Sequence, residues 1–101
     1  MNYLNVEKIV IEVRILFFSF IEDLVGKKEE IIRLENNSTL NDLLKKIKNF
    51  LDGKLTKLIF SSSGNLKKYI LIGLNGQSVK KFAIQLNQGD EISILPAIAG
   101  G

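Results

Sequence analysis

The residues with the most distinctive chemistry in this chain stand at its end. Leu95-Pro96-Ala97-Ile98-Ala99-Gly100-Gly101 continues the apolar alternation Ile92-Ser93-Ile94-Leu95, which predicts a strand. Pro96 is expected to end that strand, because proline donates no ladder hydrogen bond. The residues after Pro96 are small or apolar and finish in two glycines. The reactive group there is the Gly101 carboxylate, unhindered because glycine carries no side chain. It is ionised at neutral pH. An ionised carboxylate is a poor acylating agent, yet it can attack an activated phosphate. The acyl-adenylate formed in that way would react with sulfur or amine nucleophiles. The ATP site for such a step would belong to a partner, since no Gly-rich loop with a following Lys and Ser/Thr opens a helix here. Five extended residues from Ala97 reach about 16 Å. That is enough to thread a channel, and the glycines let the channel be narrow.

Other chemistry is sparse. The sequence has neither His nor Cys, which removes the commonest general base, the commonest metal ligand and all thiol reactions. The acidic pairs Glu22-Asp23, Glu29-Glu30 and Asp90-Glu91 are adjacent in sequence. On a strand such neighbours face opposite sides, so they read as solvated edges and turns rather than acid–base pairs. No catalytic constellation and no metal site is expected. Lysines pair at 27–28, 45–46, 67–68 and 80–81, within a net charge of +3. They read as a solvated exterior rather than a nucleic-acid surface. Arginine is limited to Arg14 and Arg33, and the two tyrosines are not interleaved with the basic pairs.

A chain of 101 residues is expected to form one domain, able to fold without metal or disulfide. Its apolar runs are too short to span a membrane. The apolar residues near the start are broken by Glu12 and Arg14, which argues against a signal peptide and for a cytoplasmic location.

The elements that must hold the tail can be read in order. Val10 to Phe17 alternates, with Ile11, Val13, Ile15 and Phe17 on the core side, and predicts a strand. Residues 1–9 are expected to be a frayed extension of it. Ser19 and Glu22 suggest a capping box for one or two turns of helix stopped by Gly26, with Phe20 or Ile21 and Leu24 inward. Glu29 to Leu34 predicts a second strand, antiparallel to the first. Asn36-Asn37-Ser38 predicts a turn. Ser38 or Thr39 then caps the main helix, whose Leu40, Leu43, Leu44, Ile47 and Leu51 recur at helical spacing and which Asp52-Gly53 closes. Residues 54–68 carry no clear pattern beyond a Ser61-to-Asn65 loop. Tyr69 to Leu74 predicts a third strand, Asn75-Gly76 a tight turn, Val79 to Leu86 a short strand or bridge, and Glu91 to Leu95 the last strand. The fold class is α+β, with a mixed sheet of four to five strands packed on one main helix and residues 96–101 as a flexible functional tail.

Element order and tail together resemble the ubiquitin-like β-grasp sulfur carriers of the MoaD/ThiS type. Within that family the chain looks most like the small subunit of molybdopterin synthase. The resemblance covers roughly Val10 to Gly101. It is most specific in Gly89-Asp90-Glu91, Leu95-Pro96 and Gly100-Gly101, which match the family's closing pattern; Asn75-Gly76 and Gly26-Lys27-Lys28-Glu29 also fit. It implies that Gly101 is adenylated by a ubiquitin-activating-type enzyme using ATP and Mg²⁺, and that a sulfur donor then makes a thiocarboxylate. Pro96, Ala97, Ile98, Ala99 and Gly100 would be the partner-binding residues. The large subunit of molybdopterin synthase would accept the tail, and this chain would be the non-catalytic sulfur-carrying subunit. It would bind no cofactor tightly and would engage neither nucleic acid nor membrane. The chain departs from short members of the family in its first residues and in the longer segment Leu55 to Lys68. Longer relatives with a similar ending serve cysteine biosynthesis or tRNA thiolation, or modify lysines as archaeal ubiquitin-like proteins. The resemblance leaves those acceptors open. The outward sheet face is expected to carry apolar contacts, with Leu16, Ile31 and Leu71 as candidates.

Overall fold

The computed structural model describes residues 9–51 and 53–97. The first strand is β1 (Val10–Phe17), whose alternation buries Ile11, Val13, Ile15 and Phe17 and leaves Glu12 and Arg14 exposed. The second strand, β2 (Glu29–Glu35), runs antiparallel to it, with Val13 opposite Ile32 and Ile11 opposite Leu34. On its other side β1 pairs in parallel with β5 (Glu91–Pro96), with Ile15 opposite Ile92 and Phe17 opposite Ile94. Antiparallel to β5 lies β3 (Ile70–Leu74), and β4 (Gln77–Val79) forms the far edge. The spatial order is β2-β1-β5-β3-β4. The expected mixed sheet thus has five strands. The last strand in sequence is the middle strand in space.

Between β1 and β2 lies the short helix α1 (Phe20–Val25), followed by Gly26 in the left-handed conformation. The capping box expected at its start is absent. Ser19 has φ 54°, and its side chain makes no capping hydrogen bond. Backbone carbonyls do the work instead: Ser19 accepts from the Glu22 N–H and Phe18 from the Ile21 N–H. Ile21 is buried as expected, but Phe20 and Leu24 are exposed. Only one side of so short a helix reaches the sheet.

The main helix is α2 (Leu40–Phe50). Leu40, Leu43, Leu44 and Ile47 are buried, as is Leu51 just beyond its end. Its cap is Thr39, in a complete capping box with Asp42. Burial of this leucine–isoleucine stripe contributes on the order of 2 kcal/mol per side chain and holds the helix across one sheet face. Gly53 does not act as a stop. It begins a further helix, α3 (Gly53–Ile59), which turns Leu55 and Ile59 into the core. Phe60 and Leu66 then bridge across the Ser61-to-Asn65 loop.

Two strand limits also shift from the sequence expectation. The strand after Asn75-Gly76 starts at once, at Gln77, and the later segment forms a bridge between Thr39 and Gln85, flanked by backbone bonds from Leu40 N–H to the Ile84 carbonyl and from Leu86 N–H to the Ser38 carbonyl. Pro96 is the last residue of β5, opposite Ile70, so the strand runs one residue past the expected Leu95 limit. The reason is directional. The Ile94 carbonyl accepts from Phe18 N–H, toward β1. Backbone polar groups alternate sides along a strand, so Pro96 faces that same side. The β1 register stops at Ile94, so the missing N–H forfeits no ladder bond. Ile9, placed by the sequence in the frayed extension, accepts the Asn36 N–H at 2.9 Å. Residues 1–8 lie outside the described residues.

Candidate functional site

The chain leading to the tail is held at a braced corner. Ala97 donates its N–H to the Tyr69 carbonyl at 2.7 Å, one step past the last β5–β3 pair. The Tyr69 hydroxyl donates to the Leu58 carbonyl in α3 at 2.8 Å. The Ile59 carbonyl accepts the Lys67 N–H at 2.9 Å, closing the link between α3 and the chain entering β3. Ala97, Tyr69 and Leu58 therefore form a chain of contacts from tail to helix. Of the expected partner-binding residues, Pro96 belongs to the sheet and Ala97 is anchored beside it. Ile98, Ala99, Gly100 and Gly101 lie outside the described residues. Sequence reasoning missed Tyr69 and Leu58. Their roles depend on the β3–β5 register and on α3, neither of which has a local signature.

A network of loops fixes the start of β5. Asn75, at φ 51°, donates from Nδ2 to Asp90 Oδ1 and accepts the Glu91 N–H on Oδ1. Asp90 Oδ2 accepts the Asn87 N–H at 2.7 Å. The adjacent carboxylates Asp90 and Glu91 thus have separate tasks. Asp90 ties two turns together, whereas Glu91 accepts from Arg14 Nη1 at 2.9 Å. Arg14 also reaches Glu29 at 3.2 Å, so one guanidinium spans β5, β1 and β2. All three side chains remain about half exposed, which makes the network a surface feature of small energetic weight.

The sheet face away from α2 is the face this arrangement leaves open. Ile31 is 58% exposed and Leu71 41%, while Leu16 is half-buried. Leu71 stands opposite Leu95. With Phe18 they border a shallow hollow of about 220 Å³ whose floor includes Gly73 and Ser93. All three residues expected on the outward face are there. Among the described residues no three acidic side chains gather as a metal site would require, and no helix is long and apolar enough to cross a membrane. The described surface can dock and present; its reactive group would be carried on the tail.

Comparison with known proteins gives this arrangement a lineage. The model of the ThiS family matches residues 15–101, from the middle of β1 through Gly101. The chain belongs to the ThiS family. Within this family of ubiquitin-like proteins it is 30% identical to small archaeal modifier protein 3 of Haloferax volcanii, over 89% of this chain and 99% of that protein. The crystal structure of small archaeal modifier protein 1 from the same organism superposes with a TM-score of 0.77 at 20% identity, covering 89% and 99% of the two chains. A structure of the complex between subunits 1 and 2 of the Helicobacter pylori molybdopterin-converting factor gives a TM-score of 0.61 at 22% identity, covering 90% of this chain and 100% of the matched one. The ThiS-family fold seen here is the β-grasp that the sequence resemblance implies.

Proposed function

We propose that this ThiS-family chain is a carrier whose Gly101 carboxylate is activated by a partner enzyme and converted to a thiocarboxylate. The carboxylate oxygen attacks the α-phosphorus of ATP, pyrophosphate leaves, and a sulfur nucleophile then displaces AMP. ATP and Mg²⁺ are the activating enzyme's. One observation carries this reading: a central core strand ends in a braced corner at Ala97, and the family match continues from there to Gly101. The corner holds the tail's origin in place, so a partner that docks on the sheet meets the tail at a defined point. Transfer of the sulfur into molybdopterin, with a large subunit receiving the tail, is the specific pathway we infer. It is supported by the fold shared with the Helicobacter pylori subunit that is seen in complex.

A second reading is favoured by the relative that is named a small archaeal modifier protein and is matched over 99% of its length. In it a lysine amine displaces AMP, directly or through a thioester, and the chain becomes joined by an isopeptide bond. Both readings share the activation step. Intact mass spectrometry of the protein from its own cells, with a search for lysine peptides carrying its Gly-Gly end, separates them. A shift equal to one oxygen replaced by sulfur supports the carrier, and branched peptides support the modifier. An unaltered mass without conjugates in cells running the pathway would overturn both.

A further inference from the structure

A second hollow, of about 660 Å³, is lined by residues of α2, of the segment leading into β3 and of the β3–β4 hairpin. Its apolar lining includes Leu44, Phe60, Leu66, Val79 and Phe82. Its charged residues are Lys45, Lys48, Lys67, Lys68 and Lys80, and no Asp or Glu lines it. These lysines come from three separate segments: α2, the approach to β3, and the exit from β4. Members of three of the four lysine pairs that read as a solvated exterior, with Lys48, thereby line one groove. Among the described residues none of the five is within ion-pair distance of a carboxylate. Lys48 sits over the Phe60 ring at 4.8 Å, and Lys67 lies 5.9 Å from the Tyr69 ring centre. Asp42 interacts electrostatically with Lys45, but its carboxylate already accepts two hydrogen bonds from Thr39. Among the described residues the groove concentrates positive charge with no carboxylate at ion-pair distance, which favours an anionic partner.

The shape of the site narrows the choice. It runs beside β4, the edge strand, whose outer side pairs with no strand among the described residues. Such an edge offers backbone donors and acceptors to an added extended segment. The apolar floor calls for apolar side chains on that segment, and the lysine rim calls for carboxylates. Nucleic acid fits less well. The rim has no arginine, and Lys48 already covers the Phe60 face that a base would stack on.

We propose that this groove binds an extended acidic segment of a partner protein, in which apolar side chains alternate with carboxylates, laid along β4. This interaction is independent of the chemistry assigned to the tail. The test uses the full chain and a fluorescein-labelled peptide of alternating glutamate and valine, followed by fluorescence polarisation at low salt and by amide chemical shifts. Saturable binding is expected, with shifts centred on Gln77 to Lys80 and on Lys45 and Lys48. The double variant Lys68→Glu/Lys80→Glu changes two exposed side chains, so its amide spectrum should stay dispersed while affinity falls at least about tenfold. Lys28→Glu, outside the groove, should bind as the wild type does. The proposal is overturned by lack of saturable binding, by equal affinity for an all-glutamate peptide, or by shifts that map elsewhere. Tighter binding of oligouridylate at the same residues would also overturn it, in favour of a nucleic-acid site.

Discussion

Thr39 shows how much one residue can arrange. Its backbone N–H and hydroxyl both donate to Asp42 Oδ2, at 2.8 and 3.1 Å, while its oxygen accepts the Asp42 N–H at 3.2 Å. These bonds, the backbone one foremost, hold the Asp42 carboxyl below the usual aspartate range, and Lys45 adds to the effect. Thr39→Ala is expected to lower stability by about 1 kcal/mol at neutral pH, as loss of an N-cap does, measured by urea denaturation. The acid response has a definite sign. A carboxyl depressed in the folded state contributes stability that is complete above its unfolded pKa and is lost as pH falls through the lower, folded one. Asp42→Asn should therefore flatten the decline of stability below the ordinary aspartate range relative to wild type; an unchanged slope would count against the box. The sequence placed the cap at Ser38 or Thr39 and put Asp42 in the first turn, because both signals are local. It failed at Ser19, which has a positive φ and makes no side-chain capping bond. That angle is imposed by the passage from β1 into α1 and leaves no trace in the residue type.

At the scale of elements, legibility followed the period of the apolar residues. The stripe in α2 and the alternation in β1 and β2 repeat often enough to name both the element and its buried face. In α3, Leu55, Leu58 and Ile59 also have helical spacing, but Gly53 reads as a stop and too few turns remain to overrule it. The three residues of β4 are too short for any period. The real signal for β4 was the two-residue Asn75-Gly76 turn, which obliges a partner strand to begin at Gln77. The base of the tail was legible only to Pro96, since Ala97 owes its anchor to Tyr69, which is distant in sequence. Ala97→Pro removes that donor. Loss of one exposed hydrogen bond costs about 1 kcal/mol, so the fold should survive. The tie from residue 97 to Tyr69 would be lost, and under the proposed function adenylation by an activating enzyme is expected to slow several-fold. Ala97→Gly keeps the N–H and should react near the wild-type rate. Equal rates for both variants would show that the corner does not set the tail's position.

Taken as a whole, the molecule depends on β5 from both sides. Ile92 and Ile94 are fully buried, and the strand joins the β2–β1 pair to the β3–β4 pair. A chain ended at Gly89 should lack a cooperative thermal transition and a dispersed amide spectrum, whereas removal of residues 98–101 should leave both nearly intact. A dispersed spectrum from the shorter chain would mean that the two strand pairs hold together without their middle. There is also a consequence for biosynthesis. A nascent chain emerges N-terminus first, so both hairpins leave the ribosome before the strand that unites them. Until then each exposes an edge on which a second nascent chain could pair. The keystone strand is translated just before the glycines. A prematurely terminated product lacking β5 would also lack the glycines, so under the proposed function an activating partner would meet the Gly101 carboxylate only on chains whose synthesis has passed the strand that completes the sheet.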